Sequence, residues 1–186
     1  MNLFLKEPTL EDKVEVLQMF KELIDCVDEY PFEGAGRLNK LTDKSYEEWL
    51  EDCATDKIIE KINPNYVNAT NYLLVDENNH VYGYSQLRHC LKGELINIGG
   101  NIGYIIRPSE RGKGLATVQL QLLIEKAKVL ELDKVLVTCR ENNLGSKRVI
   151  EKCFGEADEP VPSKSPDIME LRYWIDTKKV EIKKVL

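Results

Sequence analysis

The chain has no long apolar run. Its uninterrupted hydrophobic stretches end after a few residues, whereas a spanning helix needs about 20, and Met1 to Lys6 opens a mixed segment without a secretory apolar stretch. A soluble, cytoplasmic protein with no membrane partner is the expectation. Cysteine is scarce and oddly numbered. The five residues Cys26, Cys53, Cys90, Cys139 and Cys153 never reach a C-x-x-C spacing, which disfavours a disulfide framework and a zinc site. Reduced, buried thiols and no metal are expected. Histidine is limited to His80 and His89; His80 falls in a turn and is expected to be solvated. Basic charge is not in excess either: 26 Lys and Arg stand against 32 Asp and Glu, a net charge of −6. That balance excludes nucleic acid as the main partner, since phosphate binding needs concentrated Lys and Arg.

What is present fits one folded domain. A chain of 186 residues with 42% hydrophobic and 31% charged residues has enough apolar mass for one core and too little bias for a disordered or coiled-coil class. Asn2 to Leu5 predicts an edge strand stopped near Pro8. Thr9 opens an amphipathic helix in which Leu10, Val14, Leu17, Phe20, Leu23, Ile24 and Val27 recur up to Pro31. Phe32 to Thr42 predicts a loop, and a second helix starts near Ser45. Tyr72–Val75 and Val81–Leu87 flank a turn and predict a hairpin. Ile102–Ile106 is another strand, followed by a helix from about Gly112, a buried strand at Val135–Val137, a helix over Asn143–Lys152 and a late strand over Met169–Ile175. Pro160 to Pro166 reads as a loop. The order β, α, α, β, β, β, α, β, α, β, β predicts a single mixed α/β (α+β) domain. Charge divides along it: residues 1 to 62 hold 8 Lys/Arg against 16 Asp/Glu, while residues 63 to 186 hold 18 against 16. An acidic rim would attract a cationic substrate; a solvated helical face would carry the same residues.

The chemistry concentrates in Arg107-Pro108-Ser109-Glu110-Arg111-Gly112-Lys113-Gly114-Leu115-Ala116-Thr117. A strand ends at a proline, and a glycine-punctuated turn opens a helix whose first N–H groups lack intrahelical partners, so an anion can bind there. Two glycines admit a bulky phosphate, and Arg111 and Lys113 add charge. A pyrophosphate is the natural ligand. Walker A is excluded, because Arg107 and Gly114 stand where it needs Gly and Ser or Thr. The dinucleotide fingerprint G-x-G-x-x-G is poorly met, with Thr117 at its third glycine.

Arg111-Gly112-Lys113-Gly114-Leu115-Ala116 resembles the coenzyme A signature of the GCN5-related N-acetyltransferases, the GNAT family. Val135–Thr138 followed by Asn143-Leu144-Gly145-Ser146 resembles that family's next conserved region, so the resemblance is strongest over residues 70 to 158. It implies a GNAT-like fold with a mixed, mainly antiparallel central sheet flanked by helices. Residues 1–66 would form acceptor-side helices, 70–158 the acetyl-CoA core and 167–186 C-terminal strands. It implies an N-acetyltransferase with acetyl-CoA as cosubstrate and a small-molecule or peptide amine as acceptor; a homodimer is compatible with it. Backbone groups of Tyr104, Ile105 and Ile106 would flank the pantetheine, and amides of Gly112, Lys113, Gly114, Leu115, Ala116 and Thr117, with Arg111, would hold the pyrophosphate. Asn143 would meet the pantetheine or acetyl end, and Ser146 would cap the helix nearby.

The catalytic groups do not carry over. Ile150 stands where many members place a tyrosine acid, and Thr138 where some place a glutamate base. Glu94, in the loop before the cofactor strand, and Tyr173, on the late strand, are the candidates for proton handling; His89 is a weaker one. A non-catalytic acyl-CoA binding or sensing module is the competing reading, motivated by Ile150.

Overall fold

The computed structural model describes residues 2–26, 32–58, 67–165 and 167–180. The predicted edge strand is β1 (Phe4–Lys6), which pairs antiparallel with β2 (Ala69–Val75). β3 (Val81–Arg88) and β4 (Ile102–Ile106) complete a four-stranded antiparallel sheet in the order β1-β2-β3-β4. α1 (Lys13–Asp25) and α2 (Tyr46–Thr55) pack on one face of it. Ser45 starts α2 through a capping box, its Oγ accepting from the Glu48 amide while the Glu48 carboxylate accepts from the Ser45 amide. On α1 the buried stripe is Val16, Met19, Phe20 and Leu23. Leu10, Val14, Leu17 and Ile24, part of the predicted apolar series, point to solvent, because a second set offset along the 3.6-residue repeat lands on the opposite face. Val27 and Pro31 lie outside the described residues.

The chain then crosses from β4 through α3 (Leu115–Val129) to β5 (Lys134–Arg140). α4 (Leu144–Lys152), β6 (Glu156–Pro162) and β7 (Met169–Asp176) follow, and a second antiparallel sheet forms in the order β5-β7-β6. The loop expected over Pro160–Pro166 begins instead as the end of β6: the prolines at 160 and 162 sit on an edge strand, where a missing N–H costs least. Of the C-terminal strands expected over 167–186, β7 lies at Met169–Asp176; residues 181–186 lie outside the described ones. Leu74, Leu87 and Ile106 of the first sheet, Leu120, Leu123 and Ile124 of α3, and Val135, Val137 and Ile175 of the second sheet close one core. A second core lies between α1, α2 and the other face of the first sheet, around Trp49 and Tyr84. Among the described residues no helix is long and apolar enough to cross a membrane.

Where a single mixed sheet was expected, the two sheets share no ladder. They are pinned at one point. The Asn101 amide donates to the Leu136 carbonyl at 2.7 Å, and the Leu136 amide donates back to Asn101 Oδ1 at 2.9 Å. Beyond that pin β4 and β5 part, and the gap between them is the functional feature of the fold.

Candidate active site

β4 has one bonded side and one free side. The Arg88 amide donates to the Asn101 carbonyl and the Arg107 amide to the Tyr82 carbonyl, so in the antiparallel register the odd-numbered residues of β4 turn their backbone toward β3. Tyr104 and Ile106 therefore turn N–H and C=O into the gap, and Ile105 turns its own to β3. A cleft of about 870 Å³ opens along this free edge and is lined by β4, the start of α3, Thr138 to Arg140, and Asn143, Gly145 and Ser146.

At one end lies the glycine turn. Gly112 (φ 78°) and Gly114 (φ 79°) both occupy the left-handed region, and a Cβ on either would meet nothing within 4 Å. The space in front of the helix is open. Gly114 is the N-cap of α3. The Thr117 amide donates to the Gly114 carbonyl at 3.1 Å, which leaves the amides of Gly112, Lys113, Gly114, Leu115 and Ala116 without a hydrogen bond among the described residues. Open room, orphan N–H groups and a positive helix end fit a pyrophosphate. The two expected cations are otherwise engaged: Arg111 Nε donates to the Ile106 carbonyl at 3.3 Å, and Lys113 pairs with Glu110 at 2.7 Å and is not among the cleft residues. Arg148 and Lys152, one turn apart on α4, do line the cleft.

The middle of the cleft is tied to α4. Asn143 Oδ1 accepts from the Ser146 amide at 3.0 Å, so Asn143, and not Ser146, caps the helix, as an Asn oxygen reaching the third helical amide does. The Ser146 hydroxyl is hydrogen-bonded to the Tyr104 hydroxyl at 3.0 Å. Burial pushes the Tyr104 phenol above its ordinary pKa despite the Ser146 bond, so it stays protonated at neutral pH. Cys139 also lines the cleft, and burial pushes its thiol up to about 12. It is no thiolate nucleophile. The expectation of five buried thiols is corrected at two positions: Cys90 is exposed and Cys26 half-buried.

The other end belongs to side chains from scattered elements. The loop after α1 crosses the β4 edge at Gly34, where an added Cβ would fall 2.6 Å from the Tyr104 carbonyl oxygen; one on Gly103 would fall 2.4 Å from the Gly34 carbonyl oxygen. Glu33, next to this crossing, approaches Arg140 Nε at 3.8 Å and accepts from Asn143 Nδ2 at 3.4 Å. Glu170 of β7 lines the same end, its Oε1 accepting from the Thr138 hydroxyl at 2.7 Å. The Thr138 hydroxyl in turn accepts from the Gly99 amide at 3.0 Å.

The two proton-handling candidates are not brought here. Glu94 is exposed on a short 3-10 turn outside the cleft lining, and Tyr173 is 5% exposed in the core between β5 and β6. Its ring faces inward because odd-numbered β7 positions alternate away from the cleft. His89 is held by Asn68 and Thr70, each at 2.8 Å, and burial lowers its pKa. His80, expected in solvent, bridges Glu15 at 2.9 Å and Glu110 at 3.3 Å. Of the surplus carboxylates in the first third, Glu47 pairs with Lys13, Asp52 with Lys44 and Arg37, and Glu15 and Glu22 with the buried Arg107. Burial works against Glu22, but hydrogen bonds from Ser109 and Arg107 outweigh it and hold its carboxyl below the usual range. Among the described residues Glu33 is the one acidic residue of that third that lines the cleft.

A model of the acetyltransferase (GNAT) domain matches residues 2–153. The chain belongs to the GNAT acetyltransferase family. No curated protein sequence matches it. Solved structures share its fold at low identity. A spermidine N-acetyltransferase from Vibrio cholerae, in complex with CoA and spermine, is 16% identical with a TM-score of 0.63, covering 96% of this chain and 97% of its own. An aminoglycoside acetyltransferase in complex with coenzyme A is 18% identical with a TM-score of 0.61, covering 95% and 96%. An N-acetyltransferase from Staphylococcus aureus Mu50 is 16% identical with a TM-score of 0.62, covering 95% and 99%. In this GNAT domain the sequence reading missed Glu33, Gly34, Arg148, Lys152 and Glu170. The i, i+4 spacing of Arg148 and Lys152 behind Asn143 was a usable signal. Glu170 had none, since its place in the cleft depends on which strand lies beside Thr138.

Proposed function

We propose that this GNAT domain transfers the acetyl group of acetyl-CoA directly to a primary amine. The observation that carries the reading is the continuity of the cleft, from an open glycine cradle at the start of α3 to the free edge of β4. The amides of Gly112 to Ala116 would hold the pyrophosphate, with Arg148 and Lys152 as nearby cations. The pantetheine would run along Tyr104 and Ile106, whose free amides are the donors available to the thioester oxygen as it gains charge. Cys139, held as a thiol, gives no covalent acyl-enzyme, so the amine attacks the thioester itself. The names of the similar structures, a spermidine and an aminoglycoside acetyltransferase, support a small cationic amine as acceptor.

A CoA-binding module without turnover is the second reading, favoured by Ile150, which is fully buried in the core and supplies no acid. Among the described residues Tyr104 is the only phenol lining the cleft and is the candidate donor for the departing thiolate. Release of free CoA from acetyl-CoA with spermidine, an aminoglycoside, phosphinothricin and a lysine peptide separates the two. Turnover with any of them supports the enzyme; CoA binding without turnover supports the module. In either case CoA stabilises the fold and ATP and NAD do not, by about 2.7 kcal/mol at a hundredfold excess over Kd.

A further inference from the structure

Glu170 is a buried carboxylate, 7% exposed, that makes no salt bridge among the described residues, at the acceptor end of the cleft. Its cross-strand partner is Arg140, whose guanidinium instead meets Glu33. Oε1 takes the Thr138 hydroxyl proton; Oε2 has no hydrogen bond among the described residues. Burying a carboxylate unpaired is costly, and a ligand that brings a positive charge removes that cost. Thr138 stands on the strand that borders the gap opposite β4, where the thioester would lie. It is also the position at which the sequence lacked a glutamate, and the neighbouring strand supplies one, hydrogen-bonded to that very residue.

Resting on the function proposed above, we propose that Glu170 receives the acceptor's ammonium group and is the general base that deprotonates it. The acceptor is then a primary amine that arrives protonated. One ammonium proton passes to Oε2, and the freed nitrogen lone pair forms the N–C bond to the acetyl carbonyl. As the C–S bond breaks, the CoA sulfur takes the Tyr104 hydroxyl proton, Tyr104 regains one from the nitrogen, and Glu170 returns its proton to water. The amide, free CoA and one released proton are the products. Burial, then the negative charge of Glu33, raise the Glu170 pKa, while the Thr138 hydrogen bond and Arg140 oppose the rise. A base poised above the ordinary carboxylate range is better matched to an ammonium than a solvated one. The charged groups at this end are Glu33 from the loop, Arg140 from β5, Lys164 beyond β6 and Arg88 from β3, whose Nη1 donates to the Gly99 and Gly100 carbonyls at 3.0 Å; Arg172, two positions along β7, is turned to Asp158 at 3.1 Å.

The test uses the full chain, acetyl-CoA and whichever amine of the panel turns over fastest. Glu170→Gln should lower kcat/KM by about a hundredfold or more, abolish the acid limb of its pH profile and keep the thermal shift with CoA. Glu33→Gln should move the acid limb of the parent to lower pH, and Thr138→Val should move it to higher pH, because one removes a neighbouring negative charge and the other a hydrogen bond to the carboxylate. These opposite shifts test the assignment even where Glu170→Gln folds poorly. A Glu170→Gln variant within threefold of the parent with an unchanged limb overturns the base alone. A parent that binds CoA and acetylates nothing overturns the proposed function, and the base with it.

Discussion

The two ends of the cleft are built differently. The end at α3 is made of main chain: two left-handed glycines, a helix start and a run of unbonded amides, all within a few consecutive residues. The end at Glu170 is made of side chains from a loop and two strands, held by bonds between positions 32 to 110 residues apart, from Thr138 to Glu170 at 32 to Glu33 to Asn143 at 110. A backbone site is specified by glycine spacing and tolerates a varied sequence elsewhere; a side-chain site is specified by what the fold brings together. The first suits an invariant phosphate ligand, and the second suits an acceptor that differs from one relative to the next.

Breaking the main-chain end should have the largest effect. Gly114→Asp puts a carboxylate where, on the proposed function, the pyrophosphate would meet the helix amides, and CoA affinity should fall more than a hundredfold by calorimetry. Gly114→Ala carries the left-handed strain alone, about 1–2 kcal/mol, and should cost similar stability with a smaller loss of affinity. Equal affinities in the two variants would show that charge at this point is irrelevant. Next in size is the seam between the two ends. Gly103→Ala forces a methyl onto the Gly34 carbonyl, and overpacking of this kind costs about 1–3 kcal/mol, read as a lower midpoint in urea. Its acceptor KM should rise while CoA affinity holds; a rise in both would mean that the ends are not separable.

Smaller effects sharpen the comparison. Ser45→Ala removes the cap of α2 and should cost about 1 kcal/mol without changing KM for either substrate. Smallest of all, neutralising Glu47 and Glu51 together should leave acceptor KM and its salt dependence unchanged, since neither residue lines the cleft and exposed charges are screened within about 8 Å. A changed salt slope would restore steering by the acidic helices.

The same contrast explains what was legible in the sequence. Strand and helix order followed from apolar periodicity, and the turn from Arg107 to Thr117 announced its geometry, because glycine, proline and helix-start signals are local. The division of the sheet was not legible, because it hangs on Asn101 exchanging two hydrogen bonds with Leu136. Nor was the function of the acidic first third: those carboxylates are spent on Arg107, Lys13 and Arg37, partners 15 to 92 residues away. Prolines at 160 and 162 read as loop since they forbid a central strand, and only the sheet order reveals that β6 lies at an edge.

The crossing at Gly34 has one more consequence. A strand with unpaired N–H and C=O groups along one side is a template on which another chain can add, and natural proteins blunt such edges. Here the edge of β4 cannot be closed by its neighbour in sequence order without filling the channel the ligand needs. The loop instead lays a glycine against the Tyr104 carbonyl, with no side chain to stand it off. A polypeptide strand, which needs a clear run of several residues to pair, meets this crossing partway along the edge. The loop thus interrupts the open edge of β4 at Tyr104, so the seam is not one continuous template.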